Sequence, residues 1–260
     1  RRRGLCLMKK ESESEHWYNK TGEAAYTIVG SNGKERNTNL RDARKHGYVP
    51  SVTTILGVAA KPALENWKIN QALNSALTLK KQDDESTDQF FYRCKEHSKS
   101  TGKEAAEMGT TIHAMIEQGF AGGAETKPYL AIKKYLDKTF PNETWTAEDS
   151  FCADLGYGGK IDLHSDTGIF VDFKTKDNLE AKKKSPSSLV FPEHGMQLSA
   201  YAEGCNVKDP ERVSIFVDRK DTGLIIPWLW SKESHAKHIS MFTSLLTYWK
   251  LFKNYDPSNA

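Results

Sequence analysis

The sequence is poor in the features that would assign it to a membrane, a zinc module or a secreted scaffold. Its four cysteines, Cys6, Cys94, Cys152 and Cys205, lie far apart and form no C-x-x-C pair. That spacing argues against a zinc ribbon and a dense disulfide framework, and it fits a reducing, intracellular compartment. A run of about 18 apolar residues is missing, as is a hydrophobic signal-peptide core, so neither membrane insertion nor secretion is expected. No internal repeat points to a solenoid. Charge of one sign barely dominates: 37 Lys and Arg against 34 Asp and Glu leave a net +3. A nucleic-acid partner must therefore be sought in local lysine clusters rather than in the total.

What is present describes a globular chain. The 260 residues, 38% hydrophobic and 27% charged with six Trp, suffice to bury a core. Met8 reads as an initiator, and RRRGLCL ahead of it is set aside as a remnant. Residues 8–100 are expected to form an N-terminal hairpin and helical elaboration, and residues 101–260 a core with a C-terminal helix, together one compact unit.

Residues 15–36 read as a small peripheral hairpin, with Ala25 to Val29 as one strand and Asn32-Gly33 as its turn. SVTTILGVAA from Ser51 is short and helical. Pro62 then opens a helix to about Leu79, with Leu64, Trp67, Leu73 and Leu77 available for burial. A polar loop leads to a helix over roughly 87–99, and Thr101-Gly102 breaks it. The next helix, Lys103 to Phe120, carries Ala105, Met108, Ile112, Met115 and Ile116 on its apolar side, with His113 and Glu117 together elsewhere. Gly122-Gly123 ends it, and 127–138 is a further helix. Strands are expected at Trp145 to Ala153, at Arg212 to Val217 and, as an edge because of Pro227, at Leu224 to Trp230. Twenty-one residues without periodicity separate Lys174 from a helix at Met196, a length that suggests function or mobility. A helix from Ser231 to Phe252 closes the chain, with Ile239, Phe242, Leu246 and Trp249 at helical spacing. Trp67 and Trp249 both read as core.

The most informative stretch is GKIDLHSDTGIFVDFK, residues 159–174. Asp166-Thr167-Gly168 suits a three-residue hairpin loop, which sets Ser165 opposite Ile169, Asp162 opposite Asp172 and Lys160 opposite Lys174. Alternation then gathers those last four residues on one face and Ile161, Leu163, Val171 and Phe173 on the other. Opposed β-carbons lie about 5 Å apart, so paired aspartates destabilise the sheet unless a cation sits between them. A divalent ion with oxygen ligands is the natural candidate.

G-x-x-D at Gly159 to Asp162, D-x-K at Asp172 to Lys174 and Q-x-x-x-Y at Gln197 to Tyr201 follow GTTIHAMIE at 109–117. In that order they resemble the PD-(D/E)XK nuclease superfamily, its RecB-like branch, and within it phage-type exonucleases related to mitochondrial genome maintenance exonuclease. VPSVTTIL near residue 50 and HGMQLSAYAEG at 194–204 add to the resemblance, which spans most of 48–217. It implies an α/β core with a mixed central sheet flanked by the His113 and Gln197 helices. It also implies Mg²⁺ or Mn²⁺ held by Asp162, Asp172, His113 and the Phe173 backbone carbonyl. Glu148 stands where many relatives carry a further acid, with Asp149 as the alternative. Asp162, Asp172 and Lys174 would be catalytic, Lys174 by orienting or deprotonating the attacking water. Gln197 and Tyr201, one turn apart, would contact nucleic acid or position the nucleophile; Lys160 and the basic run Lys176, Lys182, Lys183 and Lys184 would also contact nucleic acid, making binding salt-sensitive. An iron-sulfur cluster is not expected, because the clustered downstream cysteines are missing.

Each feature has a plainer reading: solvated hairpin aspartates, a structural His113, helix packing for Gln197 and Tyr201, a solvated lysine run. Their joint order favours a deoxyribonuclease acting at DNA ends, on single-stranded or end-containing DNA, in phage or organelle-type replication, recombination or repair. A recombination or single-strand-binding protein is a candidate partner. The expected compartment is the cytoplasm, a host's if phage-encoded, or the mitochondrion. The alternatives are an endonuclease for flapped or branched DNA and a non-catalytic DNA-binding accessory protein.

Overall fold

The computed structural model describes residues 15–259, so Cys6, Met8 and the remnant assigned to RRRGLCL lie outside the described residues. In chain order the elements are β1 (Trp17–Tyr18), β2 (Thr27–Val29), β3 (Glu35–Asn37), α1 (Leu40–His46), β4 (Val49–Pro50), α2 (Val52–Leu56), α3 (Pro62–Thr78), α4 (Thr87–Phe120) and α5 (Lys127–Thr139). They continue with β5 (Trp145–Ala153), β6 (Tyr157–Ser165), β7 (Ile169–Lys176), α6 (Leu179–Lys182), α7 (Pro192–Gly204), β8 (Glu211–Asp218), β9 (Ile225–Leu229) and α8 (Ser234–Lys253).

The five-stranded sheet has the order β5-β6-β7-β8-β9. Only β7 and β8 run parallel; the other neighbours are antiparallel. A parallel pair needs a crossover, and α7 lies in it, which is why the Gln197 helix ends up beside β7. Pro227 lies in β9, the edge strand, where a missing N–H costs least. On one face Ile112 and Ile116 of α4 and Ile132 and Leu136 of α5 pack on Leu163, Val171 and Phe173. On the other, Leu198 of α7 and Phe242 and Trp249 of α8 pack on Tyr157, Ile161 and Phe170. The architecture is thus mixed α/β, helices over both faces of a mixed sheet.

Several expectations are corrected. Residues 15–36 are peripheral only in part: β2 and β3 pair as a largely exposed hairpin, as expected, but Trp17 is wholly buried and meets Trp249 edge-on at 6.0 Å. Helix α4 runs unbroken through Thr101-Gly102, because an isolated glycine weakens a helix by only about 1 kcal/mol. Leu64, Trp67, Leu73 and Leu77 remain exposed, Leu77 at 86%. Helix α3 packs on α4, with Ser75 Oγ 3.0 Å from His97 Nδ1, and that contact leaves much of these four apolar side chains uncovered. Met108 is likewise about half exposed. The stretch before α7 contains α6 and a 3₁₀ turn at Pro186–Leu189, anchored where the Asp218 carboxylate accepts the Leu179 N–H at 2.8 Å.

Candidate active site

Strand β6 carries the first acid and β7 the second, but not as a directly opposed pair. The β6/β7 ladder has the expected register at Leu163 opposite Val171 and His164 opposite Phe170, and no further pair follows. Beyond Leu163 the Asp162 carboxylate takes over, accepting the Phe173 N–H at 2.8 Å. A backbone donor is satisfied, and two like charges avoid the short opposed position.

The same point disturbs β5. Its ladder with β6 runs from Trp145 opposite Ser165 to Ala153 opposite Tyr157, yet Glu148 opposite Asp162 is missing from it. Glu148 has left-handed backbone, φ 59°, an uncommon state for a non-glycine residue that carries strain. Side-chain alternation flips there: Leu163 joins the α4/α5 core while Ile161 joins the α7/α8 core. The expected single apolar face of Ile161, Leu163, Val171 and Phe173 is therefore wrong for Ile161. Lys160 does not face Lys174; it pairs with Ser150 on β5 and forms an ion pair with Glu148.

Asp172 is 1% exposed. Lys174 Nζ lies 2.8 Å from its Oδ1 and 2.7 Å from its Oδ2, and Gln197 Nε2 donates to Oδ1 at 2.8 Å. Gln197 Oε1 accepts from Lys174 at 3.1 Å, while Gln197 Nε2 also donates to the Tyr201 hydroxyl at 2.8 Å. Carboxylate, ammonium, amide and phenol form one connected set, positioned because residues 197 and 201 share a stripe of α7. Burial raises the Asp172 pKa; Lys174 opposes that rise and Asp162 adds to it. Burial also holds the Tyr201 phenol well above its ordinary value.

From the opposite face α4 brings His113, whose Nδ1 is 3.7 Å from Asp162 Oδ2 and whose ring meets Phe173 edge-on at 6.0 Å. The approach is close: a Cβ at Gly109, one turn earlier, would stand 3.0 Å from Thr175 Oγ1. Glu117 is exposed. Among the lysines, Lys176 is half-buried with its ammonium over the Phe191 ring at 5.8 Å, and burial lowers its pKa. Lys183 pairs with Glu180 at 2.6 Å, and Lys182 and Lys184 are exposed.

Among the described residues no three His, Cys, Asp or Glu side chains form a ready-made metal cage. The donor chemistry nevertheless fits a hard divalent ion: carboxylate oxygens with one imidazole nitrogen. Asp172 Oδ2 is buried, and its one polar neighbour among the described residues is the Lys174 ammonium at 2.7 Å.

Sequence reasoning missed His194. It is buried against Phe191 and Phe216, and burial, then the nearby Lys174 ammonium, lower its pKa to about 4. Its signal was present: it stands three residues before Gln197, on the same helical stripe as Gln197 and Tyr201.

No protein-family model and no curated protein matches the chain. Among the solved structures that overlap it, two do so at low TM-score. An alkaline exonuclease (LHK-Exo) from Laribacter hongkongensis is 12% identical, with 73% of this chain and 94% of that one covered at a TM-score of 0.34. The crystal structure of SSO0001 is 14% identical, with 70% and 85% covered at a TM-score of 0.30. Overlap at that level carries no argument about chemistry, which rests on the side chains. No helix among the described residues is long and apolar enough to cross a membrane.

Proposed function

We propose that the protein is a metal-dependent deoxyribonuclease of the PD-(D/E)XK type that hydrolyses phosphodiester bonds from DNA ends. The observation that carries this reading is the connected set Asp172, Lys174, Gln197 and Tyr201, with Asp162 and His113 alongside. A solvated hairpin has no need to bury a carboxylate at 1% exposure against a lysine, since a buried charge is expensive unless it is paired.

Asp162, Asp172, His113 and the Phe173 carbonyl, with Glu148 as a further acid, would hold Mg²⁺ or Mn²⁺. The ion would supply a lowered water pKa and positive charge at the scissile phosphate. Lys174 orients the attacking water and offers an N–H to the developing charge. Gln197 fixes where Lys174 sits, and Tyr201 fixes Gln197. Lys160, Lys176, Lys182, Lys183 and Lys184 lie on segments adjoining the centre and suit a phosphate backbone.

The test uses end-labelled linear DNA, single- and double-stranded, and a covalently closed circle, with Mg²⁺ or Mn²⁺ and an EDTA control. Loss of linear DNA with the circle intact supports an exonuclease, and cleavage of the circle supports an endonuclease. Binding without metal-dependent turnover would leave only a DNA-binding module.

A further inference from the structure

The connected set depends on where the first turn of α7 begins, and one buried side chain controls that turn. The His194 N–H donates to the Phe191 carbonyl at 3.0 Å, and the Phe191 N–H donates back to His194 Nδ1 at 3.4 Å. This is one half of a capping box: the imidazole takes the place usually held by Glu or Gln and accepts the N-cap N–H, while the His194 N–H goes to a backbone carbonyl because Phe191 has no side-chain acceptor. The cap is also tied to the sheet. The His194 ring packs 5.7 Å from Phe216 of β8, and the Phe191 ring lies 5.6 Å from His194 and beneath the Lys176 ammonium of β7. One turn further along the same stripe, Gln197 meets Lys174 and Asp172.

We propose that His194 is a positioning residue of this centre: it locks the start of α7 onto β7 and β8 and so sets where the Gln197 amide holds Lys174 against Asp172. The kinetic part rests on the nuclease reading above; the geometric part does not. The accepting Nδ1 requires a neutral ring with its proton on Nε2. Burial first, and then the charges around it, keep it so: Lys174 and Lys176 from β7 and Lys61 from the start of α3 oppose a further cation, and the Asp172 carboxylate only partly offsets them. Small displacements matter here, since a misplacement of about 1 Å at a reacting centre can cost about 100-fold in rate.

The experiment compares wild type, His194→Leu and His194→Asn. Leu keeps an apolar bulk without the acceptor, whereas the Asn Oδ1 falls near the position of Nδ1. The first readout is the side-chain amide resonance of Gln197, assigned by NMR in EDTA, which needs no activity. In wild type it is displaced by its bonds to Asp172 and Tyr201; His194→Leu should return it towards a free glutamine, and His194→Asn should retain the displacement. The second readout is metal-dependent cleavage, where His194→Leu should lower kcat about tenfold or more with KM little changed and His194→Asn should stay close to wild type. If His194→Leu does not fold, His194→Ala is read in the same way. A Gln197 resonance unmoved in the folded Leu or Ala variant, or moved equally in the Asn variant, overturns the proposal. If wild type cleaves no DNA the nuclease reading fails, and the NMR comparison alone decides the role of His194.

Discussion

Asp172 is the residue at which stability and function conflict most directly. Burial raises its pKa, so the folded state binds its proton more tightly than the unfolded chain does. The sign follows: the contribution to stability is present below the ordinary carboxylate pKa and lost as pH rises through the folded value. Asp172→Asn, measured in EDTA at neutral pH, should therefore be more stable than wild type towards heat or urea, with the gap closing in acid, and should cleave no DNA. A less stable Asn variant at neutral pH would mean that the pair with Lys174 outweighs burial. Which residue types form the centre was legible in the sequence, because D-x-K and Q-x-x-x-Y fix spacing within single elements. The amide bridge from Gln197 to Asp172 was not, since 25 residues separate the partners and only the crossover brings them together. The stripe that His194 shares with Gln197 and Tyr201 is visible in the sequence, but its bond to the Phe191 N–H depends on where α7 starts, which spacing does not show.

At the scale of elements, a single glycine does not break α4, and apolar spacing does not bury α3. Gly102 stands inside α4, and a Cβ there would meet only Trp67, at 3.6 Å, an ordinary contact. Gly102→Ala should accordingly raise stability by about 0.5–1 kcal/mol in chemical denaturation. The opposite result would mean that the helix breaks at this point in solution. The apolar spacing of α3 suggests a buried stripe, yet periodicity reports only that residues share a face, not that a partner covers it. Likewise, strand alternation predicts faces only while the backbone stays extended. The left-handed Glu148 and the missing pair opposite Asp162 turn the strands over midway, and neither Glu nor Asp announces such a turn. The N-terminal strand shows the converse error. Two residues are too short for a periodic signal, yet Trp17 fills the core, and Trp17→Ala should cost about 3–5 kcal/mol. A loss below about 1 kcal/mol would restore the peripheral reading.

For the whole molecule, a mixed sheet between two helical layers follows from a hairpin, an edge strand and a crossover; turn residues mark the hairpin and Pro227 the edge, whereas the parallel β7/β8 crossover has no local signal and was implied by the resemblance alone. Beneath α8 the layers are joined by Arg212, fully buried on β8. It donates to Ser199 Oγ of α7 at 2.7 Å and lies 3.1 Å from His238 Nδ1 of α8. Burial first, and the Arg212 guanidinium second, hold the His238 pKa at about 4. As pH falls through the ordinary histidine value the unfolded chain takes up a proton that folded His238 refuses, so stability declines down to about pH 4. His238→Asn, which keeps an acceptor for Arg212, should flatten part of that decline, with His194 responsible for a further part. An unchanged slope would show that His238 is protonated in the folded protein.

The proposed nuclease activity stands or falls with the Asp172, Lys174 and Gln197 set and metal-dependent hydrolysis at DNA ends. The most direct test is the rate of Mg²⁺- or Mn²⁺-dependent release of nucleotides from end-labelled linear DNA by wild type and by Lys174→Ala, with folding of both verified. The account predicts turnover by wild type that EDTA abolishes, and a loss of about 100-fold or more in Lys174→Ala. Equal degradation by the two proteins would contradict it.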